Sequence, residues 1–182
     1  LWKAWDDEDG KVFWESPWGR GRPGWHIECS AMSIKYLGNH FDIHCGGVDN
    51  IFPHHENELA QSVSATKGLF VNYWMHSEYL HIQGDKMSKT LGNFHKISDL
   101  ISEGFTAEEI RFTLLSAHYR SKLNFSLNQN QEARTAIQRI TDIQQRLFEL
   151  KDSAQTESPM PDEFEEFVAA LDDDLDTPKA FA

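Results

Sequence analysis

Two lysines on either side of a serine form the first group of residues whose spacing suggests chemistry. Lys86 and Lys89 lie three residues apart in the segment Gly84-Asp-Lys-Met-Ser-Lys-Thr90, and Gly92 follows shortly after. A flexible loop that carries two ammonium groups can fold around a triphosphate and balance the charge that develops on the phosphates during transfer. An ordinary solvated loop would have a similar composition, so these residues leave both interpretations open.

Metal-ligating side chains form the second group. His54 and Glu58 are four residues apart, which places them on one face of a helix, and Cys29 lies on the predicted helix before it. A thiolate, an imidazole and a carboxylate all bind Zn²⁺, and three protein ligands leave the open position that catalytic zinc sites keep. His55 reaches the same face, so spacing does not decide between the histidines, and a buried free cysteine beside a polar helix is the alternative without metal. Four other histidines are interpreted as ordinary surface or core residues: His40, His76, His95 and His118.

A glycine pair followed by an acid, Gly46-Gly47-Val48-Asp49, forms the third group. Glycines at the end of a strand let the backbone approach a ligand, and a carboxylate just beyond can accept a hydrogen bond from a ribose hydroxyl, as in nucleotide crevices of α/β proteins. Taken alone, the segment also fits a plain turn.

These groups need elements to position them, and the first 82 residues alternate between helical and strand patterns. A short edge strand or hairpin arm is predicted at Val12-Phe13-Trp14. The longer predicted elements are a helix over 25–37, a strand over 41–49, a helix over 53–66 and a strand over 74–82. The helix over 25–37 is predicted from the helical spacing of its apolar residues, Ile27, Ala31, Ile34 and Leu37. Strand, helix and strand in succession are typical of an α/β fold.

Helical patterns dominate the second half of the chain. Capping boxes at Thr106-x-x-Glu109 and Ser126-x-x-Gln129 each indicate the start of a helix. Helices are predicted over 96–103, over 107–118, after residue 126 with apolar residues down to Leu150, and around 164–171, with a linker over 153–161.

Charge and composition limit the partners. The net charge of −12 argues against a broad nucleic-acid surface, but residues 151–182 hold ten acids and two lysines, which leaves nineteen acids and fifteen bases before them. An RNA-binding surface would therefore be local, around Arg20 and Arg22 or around Arg111, Arg120 and Lys122.

The N-terminus and the two cysteines indicate where in the cell the protein is located and where the chain starts. No run reaches the roughly 18 apolar residues of a membrane span, and the N-terminus has neither an initiator Met nor a signal pattern, so the chain is expected to start within a longer protein. Cys29 and Cys45 without a secretory signal favour reduced thiols and a cytosolic location.

Four stretches in order resemble the cysteinyl-tRNA synthetases. They are Gly24-Trp-His-Ile-Glu-Cys-Ser-Ala-Met32, Phe41-Asp-Ile-His44 with the glycine pair, Phe52-Pro-His-His-Glu-Asn-Glu-Leu-Ala-Gln-Ser62, and Lys86-Met-Ser-Lys-Thr90. The likeness covers essentially the whole chain. It implies an α/β fold, the second half of a Rossmann-type class I synthetase catalytic domain, followed by α-helical stem-contact and helical-bundle segments. The implied parts are 1–24, the end of a connective element; 25–93, catalytic; 94–125, stem contact; and 126–182, the start of a helical domain on the anticodon-binding side.

The resemblance also implies roles for single residues. Family zinc ligands fall on Cys29, His54 and Glu58, which favours His54 over His55. The catalytic lysines fall on Lys86 and Lys89, with Lys89 most directly on ATP. The nucleotide and amino-acid contacts fall on Gly47 and Asp49, at the adenosine-binding strand end, and on Trp25, at the edge of the amino-acid pocket. Two positions depart from the family pattern: Thr90 replaces a serine, and Cys45 stands where a glycine is commoner.

The implied reaction uses ATP, with magnesium, to convert L-cysteine to cysteinyl-adenylate, and then transfers cysteine to tRNA(Cys). Zinc would select the substrate thiolate, and the family is usually monomeric. Two alternatives stay open: the cysteine ligase of mycothiol synthesis, which resembles the family in both motifs, and a non-catalytic zinc- or RNA-binding module.

The isolated chain is expected to bind zinc weakly and to be inactive. A further family zinc ligand is a cysteine in the N-terminal half, and neither that cysteine nor the His-Ile-Gly-His-type ATP motif occurs in these 182 residues. Elemental analysis of the purified chain tests this expectation, and tight stoichiometric zinc would contradict it.

Overall fold

The computed structural model describes residues 1–82, 84–88, 90, 92–150 and 162–182. Lys89, the residue assigned most directly to ATP, and the linker at 153–161 lie outside the described residues. The chain divides into two compact units, Leu1–Ser77 and Glu78–Ala182. The four-part domain division implied by the resemblance stays a prediction.

The first unit opens with a small antiparallel sheet. Strand β1 (Trp2–Ala4) pairs with β2 (Gly21–Pro23), and Trp14 adds a single bridge to Gly21. The strand predicted at Val12–Trp14 is therefore reduced to that one bridge. A 3.0 Å ion pair between Arg22 and Asp9 holds the connecting loop against β2.

A parallel strand–helix–strand unit follows. Helix α1 (His26–Leu37) ends at Gly38, whose φ of 93° is readily accessible only to glycine. Strand β3 (Phe41–Gly47) leads through turns over Val48–His55 into helix α2 (Glu56–Thr66). Strand β4 (Val71–Ser77) pairs with β3 in parallel, from Phe41 opposite Val71 to Gly47 opposite Ser77. This arrangement confirms the predicted α/β class.

Helix α1 turns a polar side inward. Ile27 and Leu37, from the apolar series that marked the helix, are exposed, whereas His26 and Ser30 are buried. Ser30 donates a 2.7 Å hydrogen bond to Gln61 on α2. The α1–α2 contact is thus built on hydrogen-bonding side chains, and the apolar periodicity located the helix without identifying its buried face.

The second unit contains a three-stranded sheet in the order β6-β5-β7. Strand β5 (Leu80–Ile82) is antiparallel to β6 (Asp85–Lys86) and parallel to β7 (Leu123–Phe125). The prediction of one strand over 74–82 was wrong, because β4 ends at Ser77 and a new strand begins at Leu80. Between them the Glu78 N–H donates to the Tyr119 carbonyl oxygen at 2.8 Å, so the chain leaves its first sheet there.

Helices make up the rest of this unit. They are α3 (Ile97–Ser102), α4 (Ala107–Leu115), α5 (Leu127–Leu150), α6 (Asp162–Asp172) and α7 (Thr177–Ala180). Both predicted capping boxes form, with Thr106 and Glu109 exchanging hydrogen bonds of 3.0 and 3.2 Å and Ser126 and Gln129 pairing in the same way. None of the helices in the described ranges combines the length and the apolar content that a membrane span requires.

A small apolar core and the partly buried ion pair between Glu109 and Arg134 stabilise the second unit. The core comprises Ile82, Leu100, Ile110 and Phe125. Glu109 is buried and accepts hydrogen bonds of 2.7 and 3.1 Å from the Arg134 guanidinium on α5, which lowers the pKa of that carboxyl. The same glutamate therefore both caps α4 and ties it to α5.

The core can be tested on helix α3. Leu100→Ala removes a side chain that is 5% exposed and should lower the free energy of unfolding by about 2–5 kcal/mol, because a cavity remains. Ile101→Ala on the same helix removes a side chain that is 51% exposed and should cost much less. Denaturant unfolding of both variants measures the difference, and equal losses would contradict this assignment of the core.

Candidate metal centre

A carboxylate with no solvent exposure lies at the centre of the first unit. Glu58, in the first turn of α2, is 0% exposed. Its Oε2 atom lies 2.7 Å from His44 Nε2, whereas its Oε1 atom has no hydrogen-bond partner. A buried carboxylate oxygen without a partner is costly, so this atom points to a cation or donor that would complete the site.

The free oxygen faces the predicted ligands. The ligand atoms of Cys29, His54 and Glu58 all lie within 4.8 Å of one another, and His54 Nε2 is 3.5 Å from Glu58 Oε1. Two atoms that are each about 2.0–2.2 Å from a tetrahedral zinc ion are about 3.3–3.6 Å apart. The residues present therefore fit a zinc ion in donor type and in the spacing of His54 and Glu58.

The His54 ring is held in one orientation. Its Nδ1 atom lies 2.8 Å from His26 Nδ1, which leaves Nε2 directed at Glu58. Trp25 stacks on the ring, with centroids 3.6 Å apart and planes within 10°. A histidine ligand usually has its second nitrogen fixed by a hydrogen bond, and His26 supplies that contact here. Trp25 is itself 53% exposed, so it lies at the mouth of the cluster.

His55 belongs to a different set of contacts. His55, His44 and Glu58 together form a second possible metal-binding group. The Nδ1 atom of His55 also lies 2.8 Å from His76 Nε2. Burial lowers the pKa of His55 to about 4, so the ring is neutral at pH 7. The structure thus places His54 with Cys29, and His55 with His76.

Cys29 is partly buried and not in a disulfide. Burial, reinforced by the nearby Glu58 carboxylate, raises the pKa of the Cys29 thiol. A thiol binds zinc as thiolate, so metal binding here would release a proton.

The predicted nucleotide turn is tightly packed. A methyl group added at Gly46 would lie 2.7 Å from His55 Cε1, and one at Gly47 would lie 2.5 Å from Asp49 Oδ1. The buried His55 ring therefore requires a glycine at position 46, whereas the exposed Asp49 side chain could move to admit a side chain at position 47. Asp49 and Cys45 are exposed at this end of β3.

The lysine loop lies in the second unit, where neighbouring side chains fix its described part. Asn93 accepts a hydrogen bond from the Ser88 N–H at 2.8 Å and donates to the Lys86 carbonyl oxygen at 3.3 Å. The Lys86 ammonium lies 3.5 Å from the centroid of the Tyr79 ring. The loop thus presents one of its two predicted lysines on an aromatic surface.

Sequence reasoning missed three residues of the cluster, His26, His44 and His76. The sequence predicts only an ordinary surface or core residue at His76, and the structure adds that this half-buried ring contacts His55. Strand register was the signal that could have found it, because parallel pairing sets His76 opposite Gly46 at the carboxyl ends of β3 and β4.

A family model described as "tRNA synthetases class I (C) catalytic domain" matches residues 1–135 of the chain. Curated relatives named cysteine–tRNA ligase are similar over most or all of it. The protein of Brachyspira hyodysenteriae is 56% identical over 158 residues, which cover 87% of this chain and 33% of the relative. Those of Chlamydia muridarum and Escherichia coli are each 50% identical, covering all of this chain and 40% and 38% of the relatives. The chain therefore spans about a third to two fifths of their length.

One solved structure gives an independent comparison of fold. The LeuRS chain of Agrobacterium radiobacter K84, in a ternary complex with tRNA and LeuAMS, matches with a TM-score of 0.65 and 14% identity. The match covers 96% of this chain and 28% of that one. At this identity the likeness supports the class I synthetase fold.

Cobalt(II), a spectroscopic substitute for zinc, can distinguish the two histidine groups. Excess Co²⁺ should give a thiolate-to-metal charge-transfer absorption if it binds Cys29 with His54 and Glu58. The absorption should disappear in Cys29→Ser and persist in Cys45→Ser, whose thiol lies outside the cluster. Bound Co²⁺ whose visible spectrum lacks this absorption in the unchanged chain would favour the group around His55.

Proposed function

The chain belongs to the family of class I (C) tRNA synthetase catalytic domains, and on that premise we propose that it forms the zinc- and ATP-lysine-bearing part of a cysteine–tRNA ligase. The observation that carries the proposal is the buried cluster of Cys29, His54 and Glu58, whose donors suit zinc. Curated relatives of the same name, at 50–56% identity, add support.

Cysteine selection is the task we assign to the cluster. Cys29, His54 and Glu58 would hold the zinc ion, which when bound supplies a coordination position for the substrate thiolate. A serine hydroxyl is a poor ligand there, whereas an apolar pocket separates similar substrates only by about 10–200-fold. Trp25, stacked on His54 at the mouth of the cluster, would border the bound amino acid.

Lys86 and Lys89 would stabilise the charge on the triphosphate of magnesium-bound ATP while the cysteine carboxylate attacks the α-phosphate and pyrophosphate leaves. Gly47 and Asp49 would contact the adenosine. The second step transfers cysteine from the adenylate to the terminal ribose of tRNA(Cys). In both steps the protein contributes mainly positioning and charge compensation.

Contacts with tRNA would come from a few cations. Arg20, Arg22 and Arg120 are each paired with a carboxylate, Glu15, Asp9 and Asp174 respectively. An RNA phosphate would have to compete with those acids for the guanidinium groups. We further propose that the complete protein is monomeric and cytoplasmic.

Two other functions make different predictions. A cysteine ligase of mycothiol synthesis would share the zinc cluster and lysine loop but would transfer cysteine to an amino-sugar. A non-catalytic zinc- or RNA-binding module would not activate cysteine at all. The helical segments that follow the lysine loop, and the continuation Asn57-Glu-Leu-Ala-Gln-Ser62, favour the synthetase.

Cysteine-dependent exchange of pyrophosphate into ATP tests the first step, and charging of tRNA(Cys) tests the second. The complete protein should perform both and should leave serine unactivated. Lys89→Ala should slow activation by about 10²–10³-fold, whereas Lys35→Ala, on the exposed side of α1, should not change it. Transfer to an amino-sugar instead of tRNA would identify the mycothiol-type ligase, and absence of cysteine activation would refute the proposal.

A further inference from the structure

We propose that His44 is a positioning residue that commits one oxygen of Glu58 to the protein and leaves the other for the metal. This inference rests on the proposed function. It concerns His44, which lies in one of the four stretches that carry the family resemblance but which the predicted ligand set does not include. Its basis is the different surroundings of the two carboxylate oxygens.

Distance separates the roles of the two oxygens. His44 Nε2 lies 2.7 Å from Glu58 Oε2, which is a hydrogen-bond length and is shorter than the spacing of about 3.3–3.6 Å between two ligands of one tetrahedral zinc ion. His54 Nε2 and Glu58 Oε1, at 3.5 Å, have the spacing of two such ligands. Oε2 is therefore engaged by a donor, and Oε1 is the oxygen that can reach a metal.

Packing holds His44 in this position. Its ring lies 4.9 Å from the Trp74 ring and 4.7 Å from the His55 ring, with Phe41 and Phe70 on further sides. Its backbone belongs to β3, paired with Trp74 on β4. The donor therefore comes from the sheet, whereas Glu58 comes from α2, and the hydrogen bond fixes the carboxylate relative to both elements.

The consequence concerns the number of metal ligands. A carboxylate held at Oε2 can give a metal only one oxygen, whereas a free carboxylate could bind through both. One oxygen from Glu58 instead of two leaves more of the coordination sphere to the other ligands and to a substrate thiolate. His44 would thus contribute to cysteine binding without touching cysteine.

Two substitutions separate hydrogen bonding from packing. His44→Phe keeps an aromatic ring among Phe41, Phe70 and Trp74 but removes the donor. His44→Gln keeps a donor but loses the ring. His40→Phe is the matched control, because His40 is exposed and contacts Asn72, away from the cluster.

Zinc affinity of the complete protein, measured by competition with a chromophoric chelator, is the first readout. Loss of an outer hydrogen bond to a metal ligand typically weakens metal binding by about 10–100-fold, so His44→Phe should weaken zinc binding by that factor. His44→Gln should stay much closer to the unchanged protein, and His40→Phe should not differ from it. X-ray absorption at the zinc edge is the second readout, and it should show an added oxygen ligand in His44→Phe.

The outcomes are distinct. Unchanged affinity and coordination in His44→Phe would overturn the inference while leaving the zinc site intact. Stronger loss in His44→Gln than in His44→Phe would also overturn it, because packing would then be the contribution of His44. Absence of zinc from the unchanged protein would refute the zinc site of the proposed function itself.

Discussion

A buried carboxylate sets the main constraint on residues 1–77. Glu58 has no solvent contact, and an ionised group in that position is tolerated only where hydrogen bonds or opposite charge compensate for the lost water. His44 satisfies one oxygen, and the other faces the Cys29 thiol and His54. Helix α1, the start of α2 and strand β3 each contribute a side chain to this compensation. The contacts that satisfy Glu58 therefore also fix the positions of these three elements.

Aromatic and imidazole rings make the cluster rigid. Trp25 stacks on His54, and Trp74 packs against both His44 and His55. Ligands that are fixed before binding lose little freedom when a metal or substrate arrives, which favours both affinity and selectivity. Gly46 at the end of β3 belongs to the same packing, because a side chain there would displace His55.

The predicted lysine loop of the second unit is positioned differently. Asn93 and Asn124 hold the backbone around Lys86 by hydrogen bonds to Ser88, Lys86 and Gly84. These contacts fix the base of the loop and leave charged side chains at the surface. A loop anchored in this way leaves the Lys86 ammonium exposed, so it avoids the desolvation that Glu58 undergoes in the first unit.

Local pattern determined which elements form and which residue types could bind metal and phosphate. Helical spacing, both capping boxes and the His54–Glu58 interval depend on neighbours within four residues, so they could be predicted from the sequence. Only tertiary structure decided which side of α1 is buried, that the strand over 74–82 breaks after Ser77, and that His26, His44 and His76 join the cluster. Those outcomes depend on parallel strand register and on the contacts of the buried Glu58 side chain, which bring together residues distant in sequence and which no local periodicity encodes.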